Sequence, residues 1–391
     1  MAMHTLIANF YIPKMQGTTT VFFILLLVIY FTTPNKGRLT RWRSAESSTF
    51  LVGILAVYSI TTFFNLCPPV LLQLFCLMYA IFFLRISYEL QARIIKCFAW
   101  VLAILLTCSV VEYIIYETTG WGIVLGQTTR MTTVRESYFT NLVFNLIAED
   151  RVGVGARFQS IADEPGRIGT LCGLLLFLTW RLRSLRIPFI VFVISGIISF
   201  SLAFYVLLGI FLVTHFRVSL KKMLIGIVVI GATIYVTYDR FEELIVMRIM
   251  ADGEMEDVED IDNRTTEAFD KYFNLAFENG QLWLGVGANY LPEQIDIEGH
   301  GGNAGGKKWV FQYGIVALVF LFITFNKVFL RRLRRKPDIK DYGFLIAFWL
   351  SFYQRSDVMP PYFIIAFMAI PIIDIIEYYD NQITIWGTKK K

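Results

Sequence analysis

Four clusters of charged and polar residues in this chain carry the side chains that chemistry at a phosphate or a sugar needs. The first runs Arg157-Phe158-Gln159-Ser160-Ile161-Ala162-Asp163-Glu164-Pro165-Gly166-Arg167. Its two arginines suit an anionic headgroup, because a guanidinium fork matches phosphate oxygens two at a time. Pro165 and Gly166 fit the first turn of a helix and the acids before them complement its dipole, so a capped helix start flanked by interfacial arginines is the bland alternative. The second cluster is Asp262-Asn263-Arg264-Thr265, followed by Trp283-Leu284-Gly285-Val286-Gly287-Ala288-Asn289-Tyr290. Arg264 is either an anion ligand or a surface arginine neutralised by nearby acids, and Tyr290 is grouped with the substrate-binding residues. Asn263-Arg264-Thr265 is also a formal glycosylation sequon, to which nothing else in the chain lends weight.

The third cluster is Glu298-Gly299-His300-Gly301-Gly302-Asn303-Ala304-Gly305-Gly306-Lys307-Lys308. Gly301 to Lys307 matches most of a phosphate-binding P-loop, but Lys308 stands where a magnesium-ligating Ser or Thr belongs and no strand precedes it. A nucleotide site is rejected on those grounds. Glycine amides at a helix N-terminus, with Lys307 and Lys308 beside them, still form an anion cradle; a flexible hinge with interfacial lysines is the alternative. His300 is one of three histidines, and beside a glycine run it is either a general base toward a hydroxyl or a solvated loop residue. In the fourth cluster, Tyr353-Gln354-Arg355-Ser356-Asp357, Arg355 and Asp357 sit between apolar runs and either pair with each other or line a polar cavity.

The elements that must position these clusters are apolar runs. The chain is 56% hydrophobic and 16% aromatic, which reads as an all-α polytopic membrane protein forming one integral membrane domain over 1–391. The net charge of +5 is not a nucleic-acid signal, since Lys and Arg fall in short groups at the ends of apolar spans. All five cysteines lie in or beside apolar segments without CxxC spacing, so neither a disulfide framework nor a zinc site is expected. Thr18 to Thr32 lacks a small-x-small cleavage site and is expected to be a retained span.

Candidate spans are 18–33, 47–64, 69–86, 97–116, 167–181, 187–216, 223–238, 307–330, 341–353 and 358–376, judged against a requirement of about 20 apolar residues. The groups Lys36/Arg38/Arg41/Arg43, Arg85/Arg93/Lys96, Arg181/Arg183/Arg186, Arg217/Lys221/Lys222, Arg331 to Lys340 and Lys389 to Lys391 all fall on one side, the cytoplasmic one, only if 187–216 is a hairpin turning near Ser199-Phe200-Ser201. That gives about 11 spans (10–12 allowed), an external N-terminus and two large external loops, 117–166 and 239–306. The second loop is strongly acidic, its basic residues being Arg240, Arg248, Arg264 and Lys271. Within it Phe269, Tyr272, Phe273, Leu275, Ala276 and Phe277 recur at helical spacing, predicting amphipathic helices over the membrane surface.

In this order, the lead-in Arg157 to Gly166, Ser199-Phe200-Ser201 at a tight hairpin, Arg264 early in a large external loop, and His300 with Asn303 before Tyr313-Gly314-Ile315 resemble the O-antigen polymerase and ligase superfamily of bacterial envelope glycosyltransferases. The resemblance covers Arg157 to Leu330. This chain has Pro165-Gly166 where the family often has Pro-Asn, and two glycines between His300 and Asn303. The resemblance implies a GT-C-like architecture in the bacterial inner membrane and transfer of a glycan from an undecaprenyl-pyrophosphate carrier to a sugar hydroxyl at the periplasmic face. It implies inversion, no cofactor and no metal, with membrane lipids, a chain-length regulator and a flippase of the same pathway as further partners and no nucleic acid. Arg157 and Arg264, with Arg167, Arg355, Lys307 and Lys308, would neutralise the pyrophosphate. His300, or failing that Glu164 or Asp163, would deprotonate the acceptor. Polymerase is preferred over ligase, which uses the same donor. A lipid-linked glycan transporter is the rival from another class, and it predicts charges within the spans along a central path. A membrane sensor or scaffold is a third.

Overall fold

Apolar runs closed by capping residues set the helices. The computed structural model describes residues 45–65, 80–131, 136–148, 158–160, 162, 164–216, 267–287, 305–333, 335–354 and 361–382, and these are mostly helical. Helix α1 is Ala45–Asn65. Helix α2, Tyr88–Thr119, starts where the Ser87 side chain accepts from the Leu90 amide and stops at Gly120, whose left-handed backbone (φ 67) lets its N–H bond the Tyr116 carbonyl. A three-stranded antiparallel sheet follows: β1 Gly126–Met131, β2 Glu136–Asn141 and β3 Leu146–Ala148, in that spatial order, with Gly126 opposite Asn141 and Asn141 opposite Leu146. Nothing in the hydropathy pattern of the 117–166 segment predicted strands.

Helix α3, Pro165–Thr179, begins with proline in its first turn, after Glu164 in extended conformation. The expected hairpin is present: α4, Arg186–Ile198, and α5, Leu202–His215, are joined at Ser199-Phe200-Ser201. Helix α6, Glu267–Glu278, is amphipathic, as its spacing predicted. Helices α7, Gly305–Arg332, and α8, Ile339–Gln354, follow. The predicted 358–376 span is instead α9, Pro361–Ala369, a 3-10 turn Ile370–Ile372, and α10, Ile373–Gln382. Pro371 has no N–H to donate, which breaks the α-helical ladder there.

Helix α7 is not straight. Gly314 (φ 87, ψ 160) lies outside helical geometry and divides it. Phe325 stacks on Phe348 and Trp309 meets Phe352, one turn further along α8. A straight helix would carry Trp309 about 24 Å beyond Phe325, against about 6 Å between the partners on α8, so the segment before Gly314 bends back across the end of α8. The predicted 307–330 span therefore consists of Ile315–Arg332, about 27 Å long, and a separate lead-in carrying Lys307 and Lys308. Helix α2 and, counted across its break, α7 are the two described helices with the length and apolarity to cross a membrane.

Aromatic pairs fix how the helices run. Phe177 of α3 meets Phe211 of α5 at 5.3 Å and Phe344 of α8 at 5.6 Å, and Phe50 of α1 meets Phe325 of α7 at 5.5 Å. Helix α3 runs parallel to α5, since Gly169 lies against Ser201 near both heads and Phe177 against Phe211 near both tails, and α7 runs antiparallel to α8, with Phe325 on Phe348 and Phe329 on Phe344. One end of the bundle collects basic side chains. There Arg181 pairs with Asp374 (2.5 Å) and Glu377 (3.3 Å), while Arg335 bonds both Asp341 oxygens (2.6 and 2.8 Å) and Asp374 (3.1 Å). The Asp341 carboxylate holds the Arg335 guanidinium above its ordinary pKa. Arg332, buried at the foot of α7, donates to the Met368 carbonyl (3.1 and 2.9 Å) and to Gln91 Oε1 of α2 (2.8 Å). The heads of α3 and α7, the tail of α8 and the sheet lie at the other end.

Candidate functional site

The end away from the basic cluster holds every predicted site residue that the structure describes. Glu164 caps the head of α3 through its carbonyl, which accepts from the Arg167 amide at 3.1 Å, and both side chains are partly buried. The hairpin turn packs directly on this head. A Cβ on Gly169 would lie 2.4 Å from the Ser201 Cβ and 3.1 Å from the Ser199 Oγ, so only glycine admits the contact. Two non-glycine residues with positive φ flank it, Phe200 (46°) within the turn and Ser160 (52°) in the lead-in. Each such conformation costs on the order of 1–3 kcal/mol, and strain of this kind clusters at functional sites.

Lys307 and Lys308 sit on the bent-back segment of α7. Lys307 Nζ bonds Asp270 Oδ1 of α6 at 3.1 Å and stands 5.7 Å from the Phe273 ring centre. Gly306 packs against Tyr353 at the tail of α8, where a Cβ would come within 3.0 Å. Helix α6 is held to this segment by Phe269 and Phe273 against Phe311, at 5.6 and 6.5 Å. The chain leaving α6 is fastened to the same break in α7. The Val286 and Gly287 amides donate to the Phe311 and Gln312 carbonyls at 2.8 and 3.1 Å, taking up acceptors that Gly314 removes from the helical ladder. Gly285 (φ 83) and Gly314 (φ 87) interlock, a Cβ on either falling within 2.7 Å of the other's backbone.

Arg157, Arg264, Tyr290, His300 and Arg355 lie outside the described residues, as do Asp163 and Asn303. No group of three or more metal-ligating side chains occurs among the described residues.

Sequence reasoning passed over one polar assembly. Glu112, inside the predicted 97–116 span, accepts from the Val143 amide on Oε1 (3.0 Å) and from the Phe144 amide and Asn145 Nδ2 on Oε2 (2.8 and 2.9 Å). Asn145 Nδ2 also donates to the Ser109 carbonyl, and the Ser109 hydroxyl lies 2.9 Å from the Phe144 carbonyl and 2.8 Å from Asn145 Oδ1. Beyond this turn the Leu146 amide donates to the Ser160 carbonyl, Gln159 Nε2 donates to the Leu146 carbonyl, and Phe158 rests edge-on against Tyr113 at 5.4 Å. The signal available beforehand was an ionisable residue within an apolar run, which marks a functional position by default. No protein-family model, curated protein or solved structure matches this chain.

Proposed function

We propose that this protein is a membrane-embedded glycosyltransferase that polymerises lipid-pyrophosphate-linked oligosaccharides at the outer face of the bacterial inner membrane, with about 11 spans in a GT-C-like arrangement. The observation that supports the reading is that the head of α3, with Glu164 and Arg167, and the head of α7, with Lys307 and Lys308, both lie at the end of the bundle opposite the basic cluster. Immersion in lipid is supported by helix surfaces that stay apolar where they face outward. Ile339, Tyr342, Ile346, Leu350 and Tyr353 form an exposed stripe along α8, and Ile187, Ile190 and Ile194 form another on α4. Helices apolar all round belong to large cores or membranes.

The chemistry asked of the site is simple to balance. An acceptor hydroxyl attacks the anomeric carbon of the lipid-linked sugar, the bond from that carbon to the pyrophosphate oxygen breaks, and the hydroxyl proton passes to a base. The leaving pyrophosphate gains charge, so cations and a helix N-terminus at that point stabilise the transition state. Arg167, Lys307 and Lys308 supply this, with Arg157, Arg264 and Arg355. His300 takes the proton, with Glu164 as the alternative base.

The test is the surface-glycan ladder on a gel for a deletion strain complemented with wild type, Arg157→Ala or Arg264→Ala. Long chains should vanish in both variants while protein abundance and single-repeat export persist. Parallel loss of the protein itself would sink the reading. So would purified protein that makes no polymer from lipid-linked repeat units in detergent yet flips them in liposomes.

A further inference from the structure

We infer that Glu112 is a positioning residue that fixes the lead-in of α3, and so Glu164 and Arg167, from within the apolar helix α2; the inference rests on reading the head of α3 as the transfer site. An ionised carboxylate on an apolar helix is expensive unless its oxygens are satisfied. Here both are, and by one turn of the chain, Val143 to Asn145. Three donors converge on this carboxylate. Its effect is mechanical. The turn is followed by Leu146, which pairs with Gln159 and Ser160, and the Ala162 amide then donates to the Gln159 carbonyl on the way to Glu164. These contacts tie Glu112 to Gln159, Ser160 and Ala162, just ahead in sequence of Glu164 at the head of α3.

The distances make the requirement specific. Both Glu112 oxygens accept, so an amide in its place would turn an NH2 group toward at least one of the donors Val143 N, Phe144 N or Asn145 Nδ2. Glu112→Gln should therefore resemble Glu112→Ala rather than wild type.

The experiment uses the full chain with its five native cysteines replaced and a single cysteine introduced as Ala162→Cys, at a position that is fully buried. Alkylation of that cysteine in membranes reads the placement of the lead-in, and transfer kinetics with a lipid-linked repeat unit read its use. In Glu112→Ala and Glu112→Gln, alkylation should accelerate at least about tenfold, and the KM for the lipid-linked donor should rise at least about threefold. Loss of folded protein alone lowers the maximal rate and leaves KM where it was. Unchanged alkylation in both variants overturns the inference, as does faster alkylation with an unchanged KM. Glu164→Ala and Arg167→Ala are measured alongside. If they transfer normally, the transfer-site reading fails and the functional role of Glu112 with it; if they are defective while Glu112→Ala leaves alkylation unchanged, only the positioning inference fails.

Discussion

Replacing Gly314 by alanine offers the sharpest test of the bent-back segment at the head of α7. Gly314 occupies φ 87, ψ 160, a region open essentially to glycine alone, and holding another residue there costs on the order of 1–3 kcal/mol. The added Cβ would also stand 2.4 Å from the Leu284 carbonyl carbon and 2.7 Å from the Gly285 nitrogen. Both are backbone atoms and cannot swing aside. The junction must open, and the Val286 and Gly287 hydrogen bonds to the Phe311 and Gln312 carbonyls go with it, at about 1 kcal/mol each. Together these give a destabilisation of roughly 3–5 kcal/mol. In detergent, with reaction of the buried Cys172 thiol as the unfolding signal, the midpoint should fall by more than about 5 °C, given roughly 2–4 °C per kcal/mol for mid-sized domains. Gly285→Ala opens the same contact from the other side, so the double variant should lose less than the sum of the two single ones by about 2 kcal/mol, the contribution of the shared hydrogen bonds. A Gly314→Ala midpoint within about 1 °C of wild type, or losses that simply add, would refute the interlocked junction and the bend with it.

Other variants probe separate parts of the structure. Gly169→Ala places a Cβ 2.4 Å from the Ser201 Cβ; overpacking there should cost about 1–3 kcal/mol in thermal unfolding and shorten the glycan ladder even where protein is retained. Arg332→Ala strips buried acceptors on Met368 and Gln91 of their donor and should destabilise by about 2–5 kcal/mol in the same assay. Lys307→Ala and Asp270→Asn break a half-exposed ion pair and should each change stability by no more than about 1 kcal/mol. If the proposed pyrophosphate donor binds at Lys307, their effects on donor KM should part, rising for Lys307→Ala and not for Asp270→Asn, since the carboxylate would only compete with the donor for the lysine.

What the chain alone determined follows from local rules. Apolar runs and Pro165 in a first turn place helices because they depend on neighbours a few residues away, although the Ser87 and Gly120 caps set α2 at Tyr88–Thr119, wider than the predicted 97–116 span. The basic groups required a hairpin in 187–216, and α4 and α5 turn at Ser199-Phe200-Ser201 as that requirement predicted. The aromatic spacing of α6 was legible for the same reason. Tertiary structure decided the rest. Gly314 looks like any glycine in an apolar run until Gly285 is found against it, and the strands of 126–148 depend on pairing between segments rather than on hydropathy. Glu112 reads as an isolated charge within a span until a turn more than thirty residues away brings three donors to its carboxylate. A sequence specifies which groups need partners, and only packing determines which ones meet.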